Sequence, residues 1–219
     1  MKKKIIVFGN TEYSYMIADY IQRLCEAEIA AFCVNEKYIS NPAFYGIPVV
    51  PFESVEERFS PESVEFVLGL GYKSMNTIRE KVYNIIKEKG YRIASFVHPT
   101  AVVETDDLGE GNIILSGAYI GYGTKIGNAN VFWNGCNIAH NVQIGDYNYF
   151  APSVTFGGFT VVGNNCFFGL GSTVKNRLYI ADKTLVGAGA YLNTSTDTYD
   201  VYVPARTVKL EHKSTDMGI

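Results

Sequence analysis

Three histidines, one tryptophan and four cysteines are all that this chain of 219 residues offers of its scarcest chemistry-bearing side chains. The cysteines, Cys25, Cys33, Cys136 and Cys166, form no Cys-x-x-Cys pair and no zinc-ligand spacing. They read as free thiols of a reducing cytoplasm. Long apolar runs are also missing: no segment approaches the roughly 20 residues that a membrane span needs. Met1-Lys2-Lys3-Lys4 has the charge of a signal-peptide start. The apolar run behind it is only Ile5–Phe8, closed by Gly9-Asn10-Thr11-Glu12, which is too short for a signal core. Nor is there an excess of positive charge. The formal net charge is −3 and no basic stripe appears, so nucleic acid is not an expected partner.

What is abundant is glycine, at 21 residues, together with asparagine and tyrosine in the second half. Such composition often hides a short repeat, and repeats are sought first. Stepping by six from Val102 meets Leu108, Ile114, Ile120, Ile126, Phe132, Ile138, Ile144, Phe150, Phe156, Val162, Phe168, Val174, Ile180, Val186 and Leu192, all large and apolar. With half of residues apolar, sixteen in a row by chance is on the order of one in tens of thousands. The residue after each is often glycine or alanine (Gly109, Gly121, Gly127, Ala139, Gly145), and the residue four places on is usually small (Ala118, Thr124, Cys136, Val142).

A period of six fits neither a helix nor a plain strand. It fits a short strand and a tight turn, repeated. The apolar residue points inward, and the small residue after it sits where the chain turns and a positive φ is expected. Three such strands close one triangular coil. The run therefore predicts a parallel β-helix of about five coils, about 25 Å tall at the usual strand spacing. Cys136 and Cys166 fall in the small-residue column and read as packing residues rather than nucleophiles. No long loop interrupts the register, so a substrate has to be held by the segment before it.

That segment, residues 1–97, alternates strand and helix: strands at Ile5–Phe8, Ile29–Val34, Glu65–Gly69 and Arg92–Phe96, an edge piece at Ile47–Val50, and helices after Tyr13 and over Ser74–Lys89. This predicts a small, Rossmann-like parallel sheet. Ligands of such sheets lie beyond the carboxyl ends of the strands. Those ends carry Thr11, Glu12, Tyr13, Asn35, Glu36 and Gly71. The first loop has Gly9 but lacks the further glycines of a dinucleotide fingerprint, so a smaller nucleotide-sugar is the expected ligand. The domains expected are 1–97 for sugar-nucleotide binding, 98–194 for the β-helix and a C-terminal segment, 195–219.

Of the histidines, His212 lies in the tail and His98 precedes the coils. His140 alone lies within the regular coils, directly after Ile138-Ala139 at a turn, where its ring points out of the prism. A histidine with no core to satisfy at a glycine-rich corner reads as a general base. Zinc catalysis needs three converging imidazoles, which this spacing does not offer, so no metal is expected.

Taken together, Gly71-Tyr72-Lys73-Ser74-Met75-Asn76-Thr77-Ile78-Arg79, His98-Pro99-Thr100-Ala101, the hexapeptides and Val203-Pro204-Ala205-Arg206 resemble bacterial sugar acetyltransferases of the sialic-acid O-acetyltransferase type. These include the UDP-4-amino-sugar N-acetyltransferases of the bacillosamine pathway. The resemblance implies a left-handed β-helix, acetyl-CoA as cosubstrate, homotrimers with the coenzyme between neighbouring prisms, and surface-glycan biosynthesis. It implies His140 as base, Gly158 offering its N–H to the thioester carbonyl, and main-chain coenzyme contacts at Leu170 and Ala188. Arg206, Lys209 and Lys175 are the expected phosphate contacts. Two departures stand out: Asn141 replaces the glutamate that follows the base in the bacillosamine enzyme, and Tyr149 replaces a second histidine near the thioester. An amide orients an imidazole but does not stabilise imidazolium as a carboxylate does. N-acetylation of a nucleotide-linked amino sugar is the leading expectation. O-acetylation of a sugar hydroxyl and a non-catalytic sugar-nucleotide-binding scaffold are the alternatives.

Overall fold

The computed structural model describes residues 2–209, Glu211, Lys213 and Thr215. It opens with a six-stranded sheet and continues as a left-handed parallel β-helix. The sheet strands are β1 (Lys3–Phe8), β2 (Ala27–Val34), β3 (Ala43–Phe44), β4 (Ile47–Pro51), β5 (Glu65–Leu68) and β6 (Arg92–Ile93), in the order β3-β4-β2-β1-β5-β6. All neighbours are parallel except β3 and β4. The expected edge piece, β4, is therefore an inner strand, because β3 folds back along it as an antiparallel rim.

Helix α1 (Glu12–Leu24) starts where Thr11 Oγ1 accepts from the Ser14 N–H and Ser14 Oγ accepts from the Thr11 N–H. This reciprocal cap satisfies two orphan donors of the first turn. Helix α2 (Thr77–Glu88) begins three residues later than the sequence pattern predicts. Ser74, Met75 and Asn76 all adopt left-handed φ values (56°, 50° and 61°), which a continuous right-handed helix cannot include. The turn has a purpose in packing. It aims the buried Asn76 amide at the β-helix, where Nδ2 donates to Cys166 O at 2.9 Å.

The expected strand Arg92–Phe96 is divided between two sheets. Arg92–Ile93 pairs with β5, and Phe96–Val97 pairs with Ile113–Ile114 as the first rung of the β-helix. The chain passes from sheet to prism with only Ala94-Ser95 between. One apolar core follows, running from Ile5, Ile17 and Phe32 through Phe96 to Phe132 and Phe168.

The prism has three walls. The first stacks Phe96–Val97, Ile113–Ile114, Val131–Phe132, Tyr149–Phe150, Phe167–Phe168, Leu185–Val186 and Val201–Tyr202. The second stacks six rungs from Val102–Val103 to Tyr191–Leu192, and the third stacks four from Lys125–Ile126 to Tyr179–Ile180. Successive rungs pair at steps of 18, as Val131 with Tyr149 and Tyr149 with Phe167. From Ile114 to Leu192 every residue of the six-step column is buried. Phe132, Phe150 and Phe168 stack along the axis with centroids 4.5 and 5.0 Å apart.

Three features of the coils differ from the sequence reading. Val102 is 50% exposed, because Val103 rather than Val102 pairs with Ile120. Leu108 then bridges Ile126, so the first coil is one residue short between Val103 and Leu108. Second, the positive φ values do not fall on the residue after the column but two places further, as at Gly117, Gly123, Gly135, Asn141 and Phe159. The glycine directly after the column is required by a different force. A Cβ on Gly145 would meet Gly163 O at 2.7 Å, and one on Gly109 would meet Gly127 O at 2.5 Å. The stacked coils leave no room there. Third, Asn112, Asn130 and Asn148 stand in the small-residue column, fully buried, and form a ladder at steps of 18. Asn112 Oδ1 accepts from the Asn130 N–H, and Asn130 Oδ1 accepts from the Asn148 N–H, each at 2.8 Å. Buried amides survive only when so satisfied.

The outer face of the first wall is covered. Ile113, Val131 and Tyr149 point outward yet are buried, whereas the outward residues of the other walls are exposed or half-buried. What covers them is the N-terminal unit. Tyr13 packs on Trp133 with centroids 5.5 Å apart, Tyr72 on Tyr149 at 5.0 Å, and Tyr83 on Tyr147 at 5.5 Å.

Candidate functional site

Each corner of the prism joins two walls. Residues 139–142, 157–160 and 175–178 form successive turns of the corner between the second and third walls, which lies opposite the covered first wall. His140 sits on this corner, exposed. Its Nδ1 lies 2.9 Å from Asn141 Oδ1. A carbonyl oxygen only accepts, so Nδ1 carries the hydrogen, which in the neutral ring leaves the lone pair on Nε2. Asn141 is held for this contact by its left-handed backbone (φ 57°) and by its N–H, which donates to Tyr122 O at 2.9 Å.

One coil above lies Gly157-Gly158-Phe159. The Gly157 N–H donates to Val174 O and the Phe159 N–H to His140 O, while the Gly158 N–H has no partner among the described residues. A Cβ on Gly158 would lie 3.0 Å from both Nε2 and Cε1 of His140. The missing side chain thus keeps the face of the imidazole clear, and the glycine's own N–H is unengaged. The Phe159 ring meets the imidazole edge-on, at 5.0 Å and 88°. The arrangement has a base, an unengaged N–H and an apolar wall, which is what acyl transfer asks of a site.

Other expected contacts lie elsewhere on the same chain. Leu170 and Ala188 are exposed and stack on the corner between the first and second walls, not on the corner of His140. Their N–H groups have no partner among the described residues, and the Gly189 N–H donates to Leu170 O. Tyr149 lies on the first wall, buried between Tyr72 and Phe167. Burial raises its pKa well above the usual phenol value, so it stays protonated. Arg206 and Lys209 are exposed beyond the last rung. His98 lies in the first coil, between Phe96–Val97 and Val102–Val103, with Nδ1 on Thr100 Oγ1, and His212 lies outside the described residues. Among the described residues no three His, Cys, Asp or Glu side chains gather in a metal-binding group, and no helix is long and apolar enough to cross a membrane. Burial pushes the thiols of Cys136 and Cys166 up to about 12, which removes them as nucleophiles.

A cavity of about 280 Å³ opens at the carboxyl ends of β1, β2 and β5. Thr11, Asn35 and Gly71 line it, joined by Asn10, Tyr38 and Lys73, which the sequence reading did not single out. Gly9 (φ 127°) makes its first turn: a Cβ there would strike Ser14 Oγ and lie 2.6 Å from Gly69 O. The other three expected residues do not line the cavity. Glu12 accepts from Tyr45 OH at 3.0 Å, and the Glu36 N–H donates to Glu53 Oε2 at 2.9 Å. Tyr13 turns inward, and burial raises its pKa to about 12. Beneath the loop the buried Arg79 donates to Leu70 O and to Gly71 O, which fixes the cavity rim. Neither Arg79 nor Trp133 was legible as part of this region from spacing alone.

Residues 123–158 match the family described as bacterial transferase hexapeptide (six repeats). Three solved structures share the fold over nearly the whole chain. PerB from Caulobacter crescentus, in complex with CoA and GDP-perosamine, is 22% identical with a TM-score of 0.82 over 93% of this chain and 95% of its own. The acetyltransferase domain of PglB from Neisseria gonorrhoeae FA1090 is 18% identical with a TM-score of 0.82, over 95% of this chain and 100% of its own. WeeI from Acinetobacter baumannii AYE is 18% identical with a TM-score of 0.76, over 92% and 97%. The hexapeptide reading and the joined sheet-and-prism architecture are thereby met, and the same pairing of units recurs in these proteins.

Proposed function

We propose that this chain is an acetyl-CoA-dependent acetyltransferase that acetylates the amino group of a nucleotide-linked sugar for surface-glycan synthesis, with His140 as general base. The observation that carries the reading is the oriented imidazole: Nδ1–H held by Asn141, Nε2 free beside the unengaged Gly158 N–H. Solved structures of similar fold support the cosubstrate and the acceptor class: PerB holds CoA and GDP-perosamine, and the PglB acetyltransferase domain has also been solved in complex with acetyl coenzyme A.

The chemistry follows from these groups. Nε2 accepts a proton as the sugar amine attacks the thioester carbonyl. The Gly158 N–H stabilises the oxyanion of the tetrahedral intermediate. Collapse breaks the C–S bond, and the leaving thiolate takes the proton back from Nε2, giving the N-acetyl sugar and free coenzyme thiol. Asn141 fixes the tautomer rather than neutralising the transient imidazolium.

One chain does not complete the site. The cavity at the strand ends lies on the N-terminal unit against the first wall, and Leu170 and Ala188 lie on the adjacent corner, whereas His140 lies on the corner opposite that wall. The second wall spans the two corners. Three copies that turn their second walls toward a common axis bring the His140 corner of one against the Leu170 corner of the next. A homotrimer is the assembly that supplies both halves. Thr11, Asn35, Gly71 and Lys73 are the proposed nucleotide-sugar contacts. Tyr149 is proposed to act through packing beneath them. A cytoplasmic location fits the four unpaired cysteines.

The test is thiol release from acetyl-CoA with a panel of nucleotide-linked amino sugars and free sugar hydroxyls. His140→Ala is expected to lower turnover by about 10²–10⁴ while coenzyme binding persists. Full activity in that variant, or no thiol release with any acceptor, removes the proposal. Release with hydroxyl acceptors only moves it to O-acetylation.

A further inference from the structure

The three corners of the prism differ in charge. The corner between the first and second walls carries no charged residue from 115 to 118, 133 to 136, 151 to 154, 169 to 172 or 187 to 190. The corner between the third and first walls carries Glu110, Asp146 and Asp182, with Lys183 its one cation. The His140 corner begins acidic in the first coil, with Glu104, Asp106 and Asp107, and from Gly121 upward holds no acid at all. Two coils above His140 it presents Lys175-Asn176-Arg177, all exposed. In a protein of net charge −3, a corner whose upper half is purely cationic is a local exception.

Neither cation is neutralised. Lys175 and Arg177 form no ion pair with any described carboxylate. The Asn176 N–H between them has no partner among the described residues. Arg177 is nevertheless not a loose surface side chain. Its Cζ lies 4.5 Å over the ring of Phe159, and the same ring meets His140 edge-on at 5.0 Å. Its backbone is anchored by an N–H donated to Gly158 O at 3.0 Å. Phe159 and Arg177 both hold left-handed φ values, 59° and 60°, at a position where glycine and asparagine carry no such cost. That conformation costs roughly 1–2 kcal/mol for an ordinary residue. The same turn position is left-handed in other coils, as at Ala129, Tyr147, Ser153 and Lys183, so this conformation belongs to the fold and only places the two side chains on the corner.

An arginine held by an aromatic face instead of a carboxylate keeps its full charge and its fork of donors for an incoming anion. We infer that Arg177, carried on the Phe159 ring and flanked by Lys175 and the free Asn176 N–H, binds a phosphate or pyrophosphate group of a ligand that reaches His140. At the usual spacing two coils separate this turn from the base by about 10 Å, so the anion belongs to a part of the ligand remote from the reacting atoms. The inference rests on the acetyltransferase reading for what that ligand is. Within it, two phosphate-bearing molecules converge on the site, coenzyme A and the nucleotide of the acceptor. It assigns to Arg177 a role that the sequence reading gave to Arg206, Lys209 and Lys175, and of these three only Lys175 lies beside it.

Titration calorimetry with coenzyme A, UDP and GDP on wild type, Arg177→Gln and Arg177→Lys tests it, together with turnover of S-acetylpantetheine, a donor without phosphates. Arg177→Gln is expected to weaken coenzyme A about tenfold, to flatten the salt dependence of its binding, and to cost acetyl-CoA turnover more than S-acetylpantetheine turnover. Arg177→Lys, which keeps the charge without the fork, falls between. The same loss on UDP or GDP, with coenzyme A unaffected, supports the phosphate site and assigns it to the acceptor. Unaltered affinity for all three in a variant with wild-type melting temperature overturns the inference and leaves the acetyltransferase reading standing. A wild-type protein that binds none of them removes both.

Discussion

Substituting Gly158 by alanine is a sharp probe of the His140 corner. The new Cβ would lie 3.0 Å from Nε2, Cε1 and the carbonyl oxygen of His140. Ordinary contacts begin near 3.5 Å, so the deficit is about 0.5 Å against three atoms at once. The carbonyl oxygen accepts from the Phe159 N–H and is not free to retreat. The imidazole has to swing, which stretches its 2.9 Å contact with Asn141 and moves Nε2 away from the Gly158 N–H. Displacements of 0.5–1 Å in a catalytic group cost on the order of ten- to a hundredfold in rate. Gly158→Ala is therefore expected to lower kcat by about that factor in the thiol-release assay, with a small change in melting temperature. Gly145→Ala supplies the contrast. Its Cβ meets Gly163 O at 2.7 Å on a different corner, so it is expected to lower stability while the folded fraction keeps its kcat. Wild-type kcat in Gly158→Ala would refute the placement of the base.

Other perturbations separate structure from chemistry. Asn141→Asp puts a carboxylate on Nδ1 and stabilises imidazolium, so the acidic limb of the pH–rate profile is expected to move to higher pH, as read from kcat/KM between pH 5 and 9. Asn130→Ala removes the donor to Gly145 O and the acceptor of the Asn148 N–H inside the prism; about 2–4 kcal/mol of stability and several degrees of melting temperature are expected to go. Exposed Cys25 is expected to be the one cysteine that reacts with an aromatic disulfide reagent at pH 8, since burial holds Cys33, Cys136 and Cys166 at about 12, and the other three to react only on unfolding. Tyr13, Tyr91 and Tyr147 have pKa values raised by burial to about 12 from 10.0. The folded state holds those protons more tightly, so their contribution is full below pH 10 and is lost as pH rises toward 12; the melting temperature should fall across that window.

The prism was legible because its restraint is strictly local: one apolar residue every six, in a register the stacked coils cannot relax. Where the neighbours change, the beat misleads. Val102 fits the count but not the structure, since the chain arrives from β6 through Phe96 and completes the first coil one residue short. Arg92–Phe96 reads as one strand because strand propensity does not say which sheet a residue joins. The repeated glycines were visible, yet their cause, coil-on-coil contact rather than a positive φ, needs the third dimension. Asn112, Asn130 and Asn148 were legible in principle: they occupy the small-residue column at steps of 18, where only a satisfied amide fits. So was the covered wall, since Ile113, Val131, Tyr149, Phe167 and Leu185 are apolar at every outward position. His140 stood out as an unpaired ring on a corner. Leu170 and Ala188 carry no chemistry of their own, and their separation from His140 appears only when the walls are assigned. Glu12, Tyr13 and Glu36 follow the right strands but turn to Tyr45, the prism and Glu53 instead of the cavity.

The position of coenzyme A is the most direct test of His140 as the base. A crystal structure of the assembled protein soaked with coenzyme A is expected to show its sulfur beside Nε2 of His140, in the crevice where that corner meets the Leu170–Ala188 corner of a neighbouring copy. Density for the coenzyme lodged within a single chain, or away from that imidazole, would contradict it.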